Sequence, residues 1–157
     1  MSGAMEVDHI TAIVPDADAA ASALSRLLGA GPVATVDLPG MTIRSFRVGE
    51  SEIHVNAPIG KGPVDDYYRK HGAGYHHLAL RVEDLDRALG ELSTRGFTPL
   101  GVPVETAPGL REVFLDPAGT GGLLVQLVER RAVLPERYQV DGDATHRLAG
   151  QLPDEPE

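Results

Sequence analysis

The sequence predicts an α+β fold in which two tandem βαβββ modules form one cupped mixed sheet around a metal cleft. An internal repeat is the first observation. Val7 to Gly29 (VDHITAIVPDADAAASALSRLLG) lies without a gap over Tyr75 to Phe97 (YHHLALRVEDLDRALGELSTRGF), pairing His9 with His77, Val14 with Val82, Asp16 with Asp84, Asp18 with Asp86, Ala20 with Ala88 and Leu24 with Leu92. Self-similarity of this kind marks repeated supersecondary units. The second observation is that each copy reads strand, then helix, then three shorter strands. The third is the pair of histidines at equivalent positions: if the two modules pack face to face, these converge on one point, as ligands of a metal do.

Val7 to Val14 is β-branched at Val7, Ile10, Thr11, Ile13 and Val14 and alternates in part, which predicts a strand. Asp16 then caps a helix over Ala17 to Leu28, where Ala17, Ala20, Ala21, Leu24, Leu27 and Leu28 recur at helical spacing and Gly29 supplies the stop. Strand-like runs follow at Pro32 to Asp37, Met41 to Val48 and Glu52 to Asn56, punctuated by Gly40 and Gly49. The join from Ala57 to Gly74 carries a short helix around Val64 to Lys70. In the second copy His76 to Val82 is a strand, Asp84 an N-cap, Leu85, Ala88, Leu89 and Leu92 a helical stripe, and Gly96 the stop. Three more strands are expected at Thr98 to Val102, Arg111 to Leu115 and Gly122 to Val128. Module one is thus 5–57, the linker 58–74 and module two 75–130, together one domain over 5–130.

The remainder, 131–157, is polar, contains Pro135, Pro153 and Pro156 and ends in PDEPE, as expected of a surface-wrapping or partly disordered tail with little chemistry.

The last strands of the modules also match, His54 in SEIHVNAP against Gln126 in LLVQLVER. Alternation turns Ile53 and Val55, and likewise Val125 and Leu127, toward the helix, and His54 and Gln126 the other way. His9 shares its face with Val7 and Thr11, and His77 with Tyr75, Ala79 and Arg81. His9, His54, His77 and Gln126 are therefore expected to point into one cleft. His76 falls on the helix side, which suits a supporting role.

Bulk properties narrow the function. With 157 residues, 42% of them hydrophobic, the chain suits a single core. A net charge of −9 opposes binding to nucleic-acid phosphates or an anionic membrane surface. There is no Cys, so a metal must be held by His and oxygen or amide donors. The N-terminal MSGAMEVDHI has neither the basic nor the apolar region of a signal peptide, and no apolar run reaches the roughly 20 residues that span a bilayer. The expected location is cytoplasmic.

On these residues the chain resembles the vicinal oxygen chelate superfamily of paired βαβββ metalloenzymes, over about residues 5 to 130. The runs GPVDDYYRKHGAGYHHLALRVEDLDRALGELSTRGF and GLREVFLDPAGTGGLLVQLVE are most similar to its methylmalonyl-CoA epimerase branch. The resemblance implies a divalent metal (Co, Ni, Mn, Zn or Fe) held by one residue from the first and one from the last strand of each module: His9, His54, His77 and Gln126. It further implies a small-molecule substrate such as an acyl-CoA, contacts from Tyr68 to a CoA-like tail, and a homodimer. Arg81 shares the face of His77, where its guanidinium suits a substrate carboxylate.

The chain departs from that pattern at both last-strand positions, where epimerases usually carry Gln or Glu and then Glu. Gln126 cannot serve as a general base, because an amide accepts no proton at neutral pH. A second acid is expected near the loop VDLPGM, where the ungapped alignment places Leu38, with Asp37 one residue away. Of the acids able to replace the base, Glu105, Glu112 and Asp116, Glu112 ranks first. Three functions follow as alternatives: a metal-dependent epimerase or isomerase that polarises an oxygen-chelating substrate such as a 2-substituted malonyl-CoA to its enolate; a three-histidine lyase or dioxygenase; and a non-catalytic binder of a small molecule such as an antibiotic.

Overall fold

The computed structural model describes residues 3–131 and 139–152. Its elements run β1 (Glu6–Ile13), α1 (Ala17–Leu28), β2 (Ala34–Leu38), β3 (Met41–Val48), β4 (Ser51–Pro58), α2 (Pro63–His71), β5 (Gly74–Val82), α3 (Leu85–Ser93), β6 (Val104–Ala107), β7 (Leu110–Phe114), a 3₁₀ turn (Pro117–Thr120), β8 (Val125–Arg130) and α4 (Gly142–Ala149). The α+β pattern of two βαβββ modules is therefore observed. No helix among the described residues is long and apolar enough to cross a membrane.

The described residues divide into two compact units, one of Asp8–His77 with 139–140, the other of 3–7, 78–131 and 141–152. In the first, the strand order is β2-β3-β4-β1-β5; in the second, β5-β8-β7-β6, with β5 passing from one unit to the other at His77. First and last strands of each module run parallel, β1 with β4 and β5 with β8, while the remaining pairs β2–β3, β3–β4, β6–β7 and β7–β8 are antiparallel. Within module one His54 stands opposite Thr11, two residues beyond His9. Within module two Gln126 stands opposite Ala79, two residues beyond His77. The internal repeat thus extends to strand register, and His54 and Gln126 occupy equivalent places.

Each long helix starts where its aspartate caps it. Asp16 accepts from the backbone N–H groups of Asp18 and Ala19, and Asp84 from that of Arg87. Helix α1 ends at Gly29, whose φ of 71° is the left-handed conformation that glycine adopts without strain. In the second unit α3 lays Leu85, Ala88 and Leu92 on Val113, Leu115, Val125 and Leu127. The buried carboxylate of Glu129 fastens the start of this helix by accepting from the Leu85 N–H at 2.7 Å.

Two expectations are corrected. The run Thr98 to Val102 makes only an isolated bridge, Pro99 with Leu115, and the strand of that region is β6 at Val104–Ala107. The bridge is made by the neighbours of Pro99, with the Leu100 N–H donating to the Phe114 carbonyl and the Asp116 N–H to the Thr98 carbonyl, and past it the Gln151 side-chain amide contacts both segments. The C-terminal segment contains α4, capped by Asp141, with Ala144 and Leu148 buried and the helix packed on β6 and β7. Beyond it the Gln151 amide donates to the Val102 carbonyl at 2.7 Å and accepts from the Phe114 N–H at 3.1 Å. Pro135, Pro153 and Pro156 lie outside the described residues.

Candidate functional site

Strand pairing gives the Asp8–His77 unit one strongly polar sheet face. His9 stands opposite Glu52 and Thr11 opposite His54, while on β3 Ser45 stands opposite His54 and Arg47 opposite Glu52. His9, Thr11, Ser45, Glu52 and His77 are all buried. The His9 and His54 rings stack with centroids 3.9 Å apart and planes 14° apart. His77 meets His9 edge-on at 5.5 Å. Three of the expected ligands are thus brought together.

Each ring is held by a neighbour. His9 Nδ1 donates to Asp8 Oδ1 at 2.7 Å, and His54 Nε2 donates to Glu52 Oε1 at 2.9 Å. His77 hydrogen-bonds through Nε2 to Thr11 Oγ1 at 3.1 Å and through Nδ1 to His76 Nδ1 at 2.8 Å. His76 in turn lies edge-on to Tyr67 of α2, with centroids 4.8 Å apart. Burial above all, and then the neighbouring His9, His76 and His54, hold His77 well below the ordinary imidazole value of 6.5, so its ring is neutral at neutral pH.

That depression has a measurable consequence. The unfolded chain binds a proton at position 77 near pH 6.5, whereas the folded protein excludes it until a lower pH is reached. Stability is therefore full above about pH 6.5 and declines as the pH falls from there toward the folded-state value. Denaturant titrations of the metal-free protein between about pH 5 and pH 7.5 should show a shallower decline in His77→Gln than in wild type. Parallel pH profiles would contradict this role.

The remaining expected residues lie in the other unit, except Tyr68, which is half-buried on α2. Gln126 is buried, and its amide Oε1 has no hydrogen-bond partner among the described residues. Gln126 stands opposite Phe114, so Glu112, two residues before Phe114, shares its sheet face, opposite the face that Val113, Leu115, Val125 and Leu127 turn to α3. The buried Glu112 carboxylate accepts from Thr106 Oγ1 at 2.6 Å. Arg81 donates to Glu6 at 2.7 Å.

Sequence reasoning missed Asp8 and Glu52. The signal for Glu52 was present: Glu and His two residues apart on one strand share a face. For Asp8 there was none, since neighbours on a strand ordinarily point to opposite faces.

The donor set fits a divalent metal in its chemistry. Imidazoles suit Zn, Co, Ni and Fe, and a buried amide oxygen lacking a donor is the kind of acceptor that a cation satisfies. The ring arrangement is a hydrogen-bonded one. An imidazole lone pair lies in the ring plane, so rings stacked at 3.9 Å do not aim at one ion. Among the described residues no three His, Asp or Glu donors stand in coordinating positions. Metal binding at His9, His54 and His77 therefore requires these rings to turn.

A chain of two βαβββ modules with donors at equivalent first- and last-strand positions defines the paired-module α+β class. The chain belongs to the Glyoxalase/Bleomycin resistance protein/Dioxygenase superfamily, whose family profile matches residues 8–114. It is 34% identical over 127 residues to the ethylmalonyl-CoA/methylmalonyl-CoA epimerase of Cereibacter sphaeroides, covering 77% of this chain and 95% of that one. It is 29% identical over 126 residues to the mitochondrial methylmalonyl-CoA epimerase of Homo sapiens, covering 77% and 72% respectively. The crystal structure of methylmalonyl-CoA epimerase from Mycobacterium tuberculosis superimposes with a TM-score of 0.70 at 26% identity, over 80% of this chain and 88% of that one. The chain is therefore an epimerase-like member of its superfamily.

Proposed function

We propose that this chain is a metal-dependent isomerase of the epimerase type acting on an acyl-CoA thioester, such as a 2-substituted malonyl-CoA. What carries the reading is the cluster of buried His9 and His77 with half-buried His54, in a chain similar along nearly the whole length of an ethylmalonyl-CoA/methylmalonyl-CoA epimerase. These imidazoles would hold the ion, with Gln126 offering an amide oxygen. A bound divalent ion supplies Lewis-acid polarisation of the substrate's paired oxygens, which lowers the cost of the enolate.

Proton transfer falls to a carboxylate, because Gln126 cannot accept a proton. Glu112 takes the α-proton as the C–H bond breaks and the electrons pass into the enolate; a solvent proton added to the opposite face of the carbon inverts it, and Glu112 releases its own proton to solvent. The Thr106 hydroxyl that donates to Glu112 fixes the orientation of that carboxylate. Arg81 is assigned the substrate carboxylate, exchanging Glu6 for it, and Tyr68 the CoA-like tail.

The test is deuterium wash-in at the α-carbon of methylmalonyl-CoA and ethylmalonyl-CoA, with metal-loaded and chelator-treated protein. Exchange that depends on metal is expected, and its absence with both substrates would sink the proposal. The all-imidazole strand positions of the first module favour one second reading, a three-histidine lyase or dioxygenase. Iron in protein purified without chelator, together with oxygen uptake, would select it.

A further inference from the structure

Thr106 is the residue of β6 that the sheet ladder skips. Val104 and Glu105 stand opposite Glu112 and Arg111, Ala107 stands opposite Leu110, and the register shifts between Glu105 and Ala107. A bulge of this kind takes the extra residue out of the ladder and re-aims its side chain. The Thr106 hydroxyl accordingly turns to the Glu112 carboxylate at 2.6 Å, and the Thr106 carbonyl accepts from the backbone N–H of Asp141, also at 2.6 Å. Thr106 is buried, so a carbonyl released from the ladder needs such a partner.

Asp141 is where the last helix begins. Its carboxylate caps α4 by accepting from the Ala144 N–H at 3.0 Å, Ala144 and Leu148 are buried, and the helix packs on β6 and β7. Gln151 provides a second anchor, donating to the Val102 carbonyl and accepting from the N–H of Phe114, two residues beyond Glu112 on β7. The segment is thus bonded at the bulge that holds Glu112 and again just past Glu112 itself. It lies outside residues 8–114, the span that the family profile matches, so membership of the family does not account for it.

We propose that α4 is a working part of the site, with Asp141 a positioning residue: its N–H holds the bulge at Thr106, and Thr106 in turn holds the Glu112 carboxylate. The proposal rests on the role given to Glu112 above. A carboxylate at the end of a flexible side chain meets the α-proton only when it is aimed, and a misplacement of about 1 Å can cost on the order of 10²-fold in rate.

Proline at 141 isolates the bond, on the full chain. Asp141 has a φ of −72°, which suits a proline ring, and proline has no N–H. Asp141→Ala keeps the N–H and loses only the cap, so comparing the two variants subtracts the effect of a frayed helix. Carbon-13 spectra of glutamate-labelled protein, with the Glu112 carboxyl signal assigned by its loss in Glu112→Gln, should show that signal displaced in Thr106→Val and in Asp141→Pro and left in place in Asp141→Ala. Exchange of the α-proton of methylmalonyl-CoA should be about 10- to 100-fold slower in Asp141→Pro than in Asp141→Ala, with KM alike. In the Thr106→Val background the same two variants should differ by less than about twofold, because the bond then has nothing to transmit. A Glu112 signal in the same place in both Asp141 variants overturns the proposal, as does a rate difference that persists undiminished in the Thr106→Val background. If wild type exchanges the α-proton of no acyl-CoA, the role of Glu112 fails, and the carboxyl signal alone decides whether Asp141 positions it.

Discussion

Glu112→Gln is expected to slow metal-dependent α-proton exchange by about 10²- to 10⁴-fold, the usual contribution of one positioned proton-transfer group. The substitution keeps the shape of the side chain and an oxygen able to accept from the Thr106 hydroxyl, so folding should be unaffected. What it removes is the capacity to hold a proton. Because a base acts only as the C–H bond breaks, kcat and kcat/KM should fall together while KM stays close to wild type. Gln126 supplies the complementary experiment. It shares the sheet face of Glu112, standing opposite Phe114 two residues along, a diagonal placement across paired strands. The double variant Glu112→Gln with Gln126→Glu should therefore recover part of the lost rate. Exchange within threefold of wild type in the single variant would remove Glu112 from the mechanism.

Sequence and structure agree where a strict periodicity operates. Alternation along β4 and β8 placed Val55 and Leu127 against helices and turned His54 and Gln126 away, and the strand register bears out the matching of His54 with Gln126. The capping aspartates at 16 and 84 similarly announced α1 and α3. Periodicity fails for α4, whose buried contribution is only Ala144 and Leu148, one helical turn apart, too little to stand out in a polar segment. It also fails at Thr98 to Val102, where β-branched and apolar residues read as a strand but form a single bridge, Pro99 with Leu115, beside a Gln151 amide bonded to both segments. Within the site, identity was more legible than support. The repeat singled out His9 and His77, whereas the Asp8 and Glu52 bonds that orient the rings depend on contacts that no spacing rule announces. Tertiary packing, rather than local pattern, decides which neighbours each histidine ring meets.

Replacing two neighbours on β8 should separate stability from function. Leu127 is 1% exposed within the cluster of Val82, Leu85, Ala88, Leu92, Val113, Leu115 and Val125, so Leu127→Ala removes buried methyl groups and leaves a cavity. The expected cost is about 2–5 kcal/mol. For a chain of this size that corresponds to a fall in Tm of roughly 5–20 °C. Gln126 is equally buried but faces the other way, and its Oε1 has no hydrogen-bond partner among the described residues. A buried acceptor without a donor is unfavourable, so Gln126→Ala should change stability by less than about 1 kcal/mol and can even raise it. The same substitution should lower metal affinity about tenfold, the scale of loss when a supporting contact to a metal is removed. Calorimetry and chelator competition on the two variants give both quantities. Equal destabilisation by the two substitutions would mean that Gln126 serves packing, and unchanged metal affinity in Gln126→Ala would remove it from the donor set. The contrast follows from the period of two along a strand: one residue step separates a side chain that holds the sheet to its helix from one buried on the opposite face.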